Sequence, residues 1–159
     1  MLEIERTTGT DPRSRRLREA MDAETYPLYA DSMAAMPAEA RDRLLAALTT
    51  DQADLVEVVL AVKDGTPVGH AALRRLAEGG LEVKKVYVVP AARGHGVSRL
   101  LMSSIEGVAR DLGETRIRLQ TGPLQGEAIA LYRSIGYVDI PEFGPYAGLE
   151  DMVYMGKAL

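Results

Sequence analysis

The sequence predicts an α/β (α+β) protein with a single domain spanning residues 1–159, and three observations support this fold class. The chain of 159 residues is long enough to bury one sizeable core and too short for two. Its content of 47% hydrophobic and 26% charged residues is typical of a globular domain. Strand and helix patterns also follow one another in the order β, helices, β-β-β, α, β, α, β, loop, β, without an internal repeat or a linker.

The first third of the chain predicts one strand followed by helices. Residues 2–7, LEIERT, alternate as in a half-buried strand. From residue 12 to residue 48 the pattern is helical, with two apolar stripes: Leu17, Met21 and Leu28, then Ala40, Leu44, Ala47 and Leu48. We expect Pro27 and Pro37 to divide this region into two or three short helices, because proline lacks an N–H and clashes with the preceding turn.

Three strands connected by tight turns follow. Residues 55–76 contain two strands joined at Asp64-Gly65, which is a strong hairpin signal. The Gly79-Gly80 pair marks a second turn, and residues 81–89, LEVKKVYVV, are rich in β-branched side chains. The sequence therefore predicts two consecutive hairpins.

Helices alternate with strands in the last third of the chain. A long helix is predicted after residue 96 from the spacing of four apolar residues and a terminal glycine: Leu101, Ile105, Val108, Leu112 and Gly113. The remaining elements are a strand at residues 115–121, a short helix at 127–135 ended by Gly136, a strand-like segment at 137–140 and, after a Gly- and Pro-rich loop, a final strand near 150–155.

Composition excludes several kinds of function. The net charge of -4 argues against a nucleic-acid partner, which usually requires a basic surface. The absence of cysteine rules out disulfides, thiolate metal sites and cysteine nucleophiles, and with only His70 and His95 we expect no metal site. No apolar run approaches the roughly 20 residues of a membrane span, and the first 16 residues do not resemble a signal peptide, so we expect a cytoplasmic protein that does not enter a membrane.

One stretch carries a specific chemical signal: VYVVPAARGHGVSRLL, residues 86–101. A β-branched run stops at Pro90, Gly94 and Gly96 follow, and the long helix begins. A helix N-terminus leaves several N–H groups without intrahelical partners and attracts anions, while glycines let a phosphate approach the backbone and Arg93 adds a positive charge. The alternative is a surface turn that uses glycine for its dihedral angles and arginine for solubility.

Two common phosphate-binding motifs do not match this stretch. A Walker A loop requires a lysine before Ser or Thr, and none is present. A dinucleotide fingerprint requires a third glycine where Arg99 stands. What remains is Arg-x-x-Gly-x-small, residues 93–98, directly after a strand and a proline.

This stretch, extended to VYVVPAARGHGVSRLLM, resembles the acyl-CoA-binding segment of the GNAT acyltransferase family. A second segment, EAIALYRSIGYVDI at residues 127–140, is similar to the second signature of that family, and the predicted element order is also similar to the GNAT fold. The resemblance implies a central mixed, mostly antiparallel sheet of about six or seven strands flanked by helices, with a V-shaped splay at the acyl-CoA site.

The resemblance also implies acetyl-CoA as the co-substrate, without a metal. In the family the end of the strand pairs with the pantetheine arm, and the loop and helix N-terminus wrap the pyrophosphate. The positions of this chain that match are Val86, Tyr87, Val88, Val89, Arg93, Gly94, His95, Gly96, Val97, Ser98, Gln125 and Tyr132. Ser98 replaces the usual Gly or Ala, and Gln125 replaces a common Asn, which puts that one contact in doubt.

Three chemical roles follow from the resemblance. Glu82 matches the position of a catalytic glutamate and is the candidate base for the amine; the alternative is a solvent-facing charge paired with Lys84. Tyr132 matches the tyrosine that protonates the departing thiolate; the alternative is a core tyrosine on an apolar stripe, and both can hold at once. The Val88 N–H is the expected donor to the thioester carbonyl.

We expect no catalytic role for the side chains of the histidines and the N-terminal arginines. His95 is expected to contribute only its backbone N–H. His70 is expected to be packed or on the surface rather than catalytic, and the arginines between residues 13 and 18 to form a solvated helix face.

The acceptor is less defined than the donor. The resemblance places its cleft between the helices of residues 12–48 and the loop of residues 141–150, where four aromatic side chains either frame an amine or pack as a lid: Tyr26, Tyr29, Phe143 and Tyr146. We expect direct transfer to a primary amine of a small molecule or peptide, since no nucleophile motif supports a covalent intermediate. The alternative is a non-catalytic acyl-CoA-binding sensor or interaction domain. The family resemblance also admits a homodimer.

Overall fold

The computed structural model describes all 159 residues as seven strands and four α-helices around one sheet. In chain order the elements are β1 Leu2–Thr7, α1 Pro12–Ala35, α2 Ala38–Leu48, β2 Leu55–Lys63, β3 Thr66–Arg75, β4 Leu81–Val88, α3 Val97–Asp111, β5 Arg116–Thr121, α4 Gly126–Ser134, β6 Val138–Asp139 and β7 Val153–Ala158. The sheet order is β1-β2-β3-β4-β5-β7-β6. Only β4 and β5 are parallel neighbours, which confirms the predicted mixed, mostly antiparallel sheet.

The parallel strands β4 and β5 pair over a short length only. Their register contains two positions, Glu82 with Arg118 and Val83 with Leu119. Beyond these positions β4 continues to Val88 and β5 to Thr121, but the two strands no longer pair with each other. The two strands therefore separate toward their carboxyl ends, which is the predicted V-shaped splay.

Alternating side chains of the strands supply two opposite faces of the sheet. Val59 and Ala61 of β2 belong to a large core with α3, whereas Val58 and Leu60 belong to a smaller core with Leu17 of α1. The long helix α3 fully buries Leu101, Met102 and Ile105, and each such side chain contributes roughly 1.5–3 kcal/mol. A third cluster of apolar residues lies under the turn at residues 144–146: Ala47, Leu76, Phe143, Tyr146 and Tyr154.

The predicted interruption at Pro27 is wrong. Helix α1 runs from Pro12 to Ala35 through this proline, and only Pro37 separates it from α2. Pro27 and Ala23, one turn earlier, both lie on the exposed side of α1. Water can therefore satisfy the Ala23 carbonyl that loses its partner, and the helix continues.

Smaller differences concern element ends. Leu112 is 46% exposed and caps α3 rather than extending its apolar stripe, while Gly113 follows with a φ of 87°. The final strand lies at residues 153–158, three residues later than predicted at each end, because pairing with β5 fixes its position. No helix combines the length and apolar character that crossing a membrane requires.

Candidate functional site

A β-bulge interrupts β4 just before the splay. Two residues of β4, Lys85 and Val86, oppose the single residue Ala71 of β3. Lys85 has a φ of 55°, in the left-handed region that non-glycine residues rarely adopt. The bulge bends the strand and changes the direction of the residues that follow it.

The Val88 amide points into the gap between β4 and β5. The Val89 N–H donates to the Val68 carbonyl on the β3 side at 2.9 Å. Successive amides of a strand point to opposite sides, so the Val88 N–H points toward β5, where strand pairing has already ended at Val83. The Val88 carbonyl also lies away from β3 and accepts from Arg93 Nε at 2.9 Å.

The N-terminus of α3 carries free backbone donors. Gly94 and Gly96 both have a φ of 77°, which favours glycine at these positions, and a Cβ at either glycine would meet no atom within 4 Å. Gly96 is the N-cap and supplies no side-chain acceptor. The first bond of the helix is from Leu100 N to the Gly96 carbonyl, so the three preceding amides have no intrahelical partner. The space beside them is open to an anion.

A cleft of about 550 Å³ joins these features. Most of the residues predicted to bind the donor line it: Val86, Tyr87, Val88, Arg93, Gly94, Gly96, Val97, Ser98, Gln125 and Tyr132. Val89 and His95 do not. The other lining residues, which were not predicted to bind the donor, come largely from α1 and α4: Met21, Glu24, Thr25, Leu28, Ala92, Leu124, Gly126, Glu127, Ala128 and Leu131. A depression of about 620 Å³ at β5, β6 and β7 contains none of the residues predicted for donor binding or catalysis.

Tyr132 reaches the cleft from α4. The residue is 6% exposed and packs against Tyr137, with the ring centroids 5.8 Å apart. Every fully buried polar side-chain atom in the protein has a hydrogen-bond partner. The Tyr132 hydroxyl has no such partner, so it is not fully buried and is the part of Tyr132 that remains accessible from the cleft. Burial raises the pKa of Tyr132 well above its ordinary value of 10. Its hydroxyl therefore stays protonated at neutral pH.

Gln125 shapes the floor of the cleft. Its Oε1 accepts from the Gly122 N–H at 3.0 Å and lies 3.4 Å from the Tyr29 hydroxyl. The Nε2 group has no protein partner, which leaves it as the end of Gln125 available to a ligand. A Cβ at Gly122 would overlap the Tyr29 hydroxyl, which also accepts from the Leu124 N–H at 3.2 Å. Gly122 therefore allows α1 to contact the turn before α4.

Arg93 is engaged by two partners within the protein. Besides the Val88 carbonyl, its guanidinium contacts both oxygens of the Glu24 carboxylate at 2.7 and 2.8 Å. The Tyr87 hydroxyl donates to the same carboxylate at 3.2 Å, and the Arg93 guanidinium lies 5.7 Å from the centre of the Tyr87 ring. The contact of Glu24 with Arg93 was not predicted, because sequence spacing does not reveal which part of α1 faces β4.

Glu82 lies below the splay and not in the cleft. Its side chain is 0% exposed and accepts from Arg74 at 2.6 and 3.0 Å and from the Tyr146 hydroxyl at 2.5 Å. Lys84 is 3.8 Å away, so the expected ion pair exists, but it is buried rather than facing solvent. Burial lowers the pKa of Lys84 to about 8, against the opposing effect of the Glu82 charge. The role of Glu82 as a base stays a prediction.

The aromatic residues considered for the acceptor separate into different environments. Phe143 and Tyr146 are buried with Tyr154, with ring centroids 5.4–5.9 Å apart, and the Tyr146 hydroxyl donates to Glu82. Tyr26 is 58% exposed, and neither it nor Tyr29 lines the cleft. None of the four frames the cleft directly.

The remaining predictions concern charged residues around α1. His70 is fully buried, as expected for a packed histidine, and His95 is exposed with its Nδ1 on the Arg93 carbonyl at 2.7 Å. Arg13 pairs with Asp11 and Glu5, so it supports the start of α1 rather than a ligand.

Comparisons with known proteins show the family of this chain. The model of the acetyltransferase (GNAT) family matches residues 16–137. The IAA acetyltransferase of Azospirillum brasilense is 40% identical over 105 residues, which are 65% of this chain and 69% of that protein. The streptothricin acetyltransferase of Streptomyces lavendulae is 29% identical over 109 residues, 68% of this chain and 54% of that protein.

Solved structures show the same architecture over the whole chain. A provisionally assigned acyl-CoA N-acyltransferase from Klebsiella pneumoniae superimposes with a TM-score of 0.78 at 29% identity, covering 100% of this chain and 98% of the other. The PaiA N-acetyltransferase of Thermoplasma acidophilum, solved with coenzyme A, superimposes with a TM-score of 0.67 at 17% identity over 100% and 99% of the two chains, a likeness of fold. Because the family model matches more than half of the length of this chain, the chain belongs to the GNAT family of acetyltransferases.

Proposed function

We propose that the protein transfers the acetyl group of acetyl-CoA to a primary amine of a small molecule or peptide, directly in a ternary complex. One observation carries this proposal: the splay of β4 from β5 leads the Val88 N–H, the free amides of α3 and the Tyr132 hydroxyl into one cleft. These are the groups that a CoA thioester requires at its carbonyl, its phosphates and its sulfur.

The backbone supplies most of the donor binding. The amides at the start of α3, with the positive end of the helix dipole, suit the pyrophosphate, and Gly94 and Gly96 keep side chains away from it. The unpaired edge of β4 after the bulge offers hydrogen bonds to an extended pantetheine arm. Gln125 Nε2 provides a further donor at the floor of the cleft.

The transfer step then requires three proton or charge changes. The neutral amine attacks the thioester carbonyl, the carbon–nitrogen bond forms, and the Val88 N–H stabilises the developing oxyanion. As the carbon–sulfur bond breaks, Tyr132 gives its proton to the departing CoA thiolate. The amine loses a proton to water, and solvent returns a proton to Tyr132, so the enzyme is restored.

We assign Glu82 a positioning role rather than direct proton removal. Its carboxylate is excluded from solvent and already accepts from Arg74 and Tyr146. These contacts hold β4 against β3 at the first of the two positions where β4 pairs with β5, Glu82 with Arg118, one residue before the last pair at Val83. Glu82 therefore supports the short paired segment after which the two strands separate.

Initial-velocity kinetics test the proposal. Release of the CoA thiol is measured with acetyl-CoA and a panel of small amines and peptides. Streptothricin and IAA, the compounds named by two relatives, are tested beside this panel. Amine-dependent release, with double-reciprocal lines that intersect, supports direct transfer in a ternary complex. Parallel lines contradict the direct route, and tight CoA binding without release above the blank for any acceptor indicates a non-catalytic binding domain.

A further inference from the structure

The positive charge predicted to serve the CoA pyrophosphate is already neutralised inside the protein. Glu24 places its carboxylate against the Arg93 guanidinium at 2.7 and 2.8 Å, and both residues line the cleft. A carboxylate at this place repels a phosphate that approaches the amides of α3. The free protein thus carries an anion of its own beside the donor's anion site.

We propose that Glu24 is an internal competitor of the donor: it holds Arg93 in the free protein and is displaced when the pyrophosphate of CoA binds. This inference rests on the proposed function, because it requires the pyrophosphate to lie beside Arg93. The step is an exchange of ion pairs in which no covalent bond changes.

Three features favour this exchange: the exposure of the ion pair, the strength of phosphate as a partner for Arg93, and the second bond that holds Arg93 in place. The side chains of Arg93 and Glu24 are 39% and 43% exposed, and an ion pair so exposed to water is weak and easily replaced. A phosphate offers Arg93 a stronger partner than a carboxylate through charge-assisted, bidentate bonds. Arg93 Nε keeps its bond to the Val88 carbonyl at 2.9 Å, which retains the guanidinium beside the α3 amides while its partner changes.

The exchange also connects donor binding to α1. Glu24 and Tyr87 form one of several contacts between α1 and the splayed end of β4, together with the Asp22–Lys85 ion pair at 2.9 Å. Displacing Glu24 removes the contact nearest the donor and leaves a free carboxylate on the wall that α1 contributes to the cleft. CoA binding therefore changes the charge presented by α1.

The test compares ligands with and without the pyrophosphate. Binding of CoA and of pantetheine to the wild type and to Glu24→Gln is measured by calorimetry at low salt. Glutamine keeps an acceptor for the Tyr87 hydroxyl and loses only the charge. We expect Glu24→Gln to bind CoA about two- to fivefold more tightly, as removal of an exposed ion pair allows, and pantetheine with wild-type affinity.

Two further variants separate competition for Arg93 from general repulsion. Glu19→Gln removes the same charge from the exposed side of α1, where Glu19 lies 3.9 Å from Arg15, and should leave CoA affinity unchanged. Arg93→Gln should weaken CoA binding, and adding Glu24→Gln to it should bring no further gain. A gain of equal size in the Arg93→Gln background overturns the proposal, because Glu24 then acts by bulk charge.

The remaining outcomes are also decisive. Unchanged or weaker CoA binding by Glu24→Gln, with wild-type binding intact, contradicts the role of Glu24 and leaves the proposed function standing. Absence of CoA binding by the wild type contradicts the proposed function itself, and the inference about Glu24 with it. Thermal unfolding of each variant without ligand verifies that the compared proteins are equally folded.

Discussion

The His70 imidazole donates from Nδ1 to the main-chain carbonyl of Lys85 at 2.7 Å, at the residue whose left-handed backbone forms the bulge of β4. Its Nε2 accepts from Ser14 Oγ at 2.9 Å, and Ser14 in turn accepts from Arg18 at 3.0 Å. Both ring nitrogens of this fully buried residue are therefore used. His70 supports the bulge from which the splay and the orientation of the Val88 amide follow.

The buried imidazole predicts a loss of stability in mild acid. Burial lowers the pKa of His70 to about 4, below its ordinary value of 6.5. As the pH falls from 6.5 to 4, the unfolded chain gains a proton at His70 that the folded chain does not bind. Because stability conferred by a lowered pKa is lost as the pH decreases, we expect the free energy of unfolding to fall by about 3 kcal/mol over this range from His70 alone.

Urea denaturation of the wild type and His70→Gln between pH 7.5 and pH 4 measures this contribution. The wild type should lose more stability than the variant, since the variant has no imidazole to protonate. His95→Gln, at the exposed histidine, should behave as the wild type. Equal losses in the wild type and His70→Gln contradict the account of His70.

Tyr132→Phe should separate chemistry from binding. We expect turnover at saturating amine to fall about 100-fold, the usual size of a general-acid contribution, with little change in acetyl-CoA affinity. Stability should stay the same, because the Tyr132 hydroxyl has no protein partner. The raised pKa also predicts that deprotonation of Tyr132 causes no loss of wild-type activity at any pH up to 10, the ordinary pKa of tyrosine. An unaltered rate in Tyr132→Phe removes this residue from the mechanism.

Gly96→Asp should abolish CoA binding. Gly96 has a φ of 77°, a conformation that Asp and Asn tolerate better than other side chains, and an added carboxylate would stand beside the α3 amides. Gly96→Asn is the matched control, with the same size and backbone preference and no charge. Calorimetric titration should show a much larger loss of CoA affinity for Asp than for Asn. Wild-type affinity in Gly96→Asp means that the turn is not the phosphate site.

The local structure of the candidate donor site could be predicted from sequence because its signals are local. The strand, the two glycines and the start of α3 lie within residues 86–101, and their backbone conformation follows from nearest neighbours. The hairpin at Asp64-Gly65 was equally readable and forms with positive φ at both residues. Pro27 was misread because whether a helix survives proline depends on exposure, which tertiary packing decides.

The cluster around Glu82 depends on contacts that the local pattern does not contain. Tyr146 comes from a loop 64 residues further along the chain than Glu82. The separate pair of Glu24 with Arg93 depends in the same way on the rotation of α1, which packing sets. One signal was available: Arg74 and Glu82 are equally distant from residue 78 in the turn between β3 and β4, and they form a register pair. Counting outward from that turn predicts the Arg74–Glu82 pair across the hairpin.

The positioning role of Glu82 makes a prediction about Arg74. Arg74→Met leaves the Glu82 carboxylate buried without its main partner and should cost about 3–5 kcal/mol in the free energy of unfolding. The double variant Arg74→Met/Glu82→Leu should recover much of that loss, because no unpaired charge remains. Chemical denaturation measures both, and a single variant as stable as the wild type contradicts the account.

Glu82→Gln distinguishes positioning from direct proton removal. We expect reduced stability and a kcat within about tenfold of wild type, since the carboxylate does not line the cleft. A kcat reduced about 100-fold or more, with unchanged stability and loss of the pH dependence of kcat, identifies Glu82 as the base.

A crystal structure with CoA bound tests the central claim, that the splay between β4 and β5 is the donor site. We expect the pyrophosphate at the amides of residues 94–98, the pantetheine arm along the unpaired edge of β4, and the sulfur within hydrogen-bond reach of the Tyr132 hydroxyl. Pyrophosphate bound away from the start of α3, or a sulfur remote from Tyr132, would contradict the assignment of the cleft.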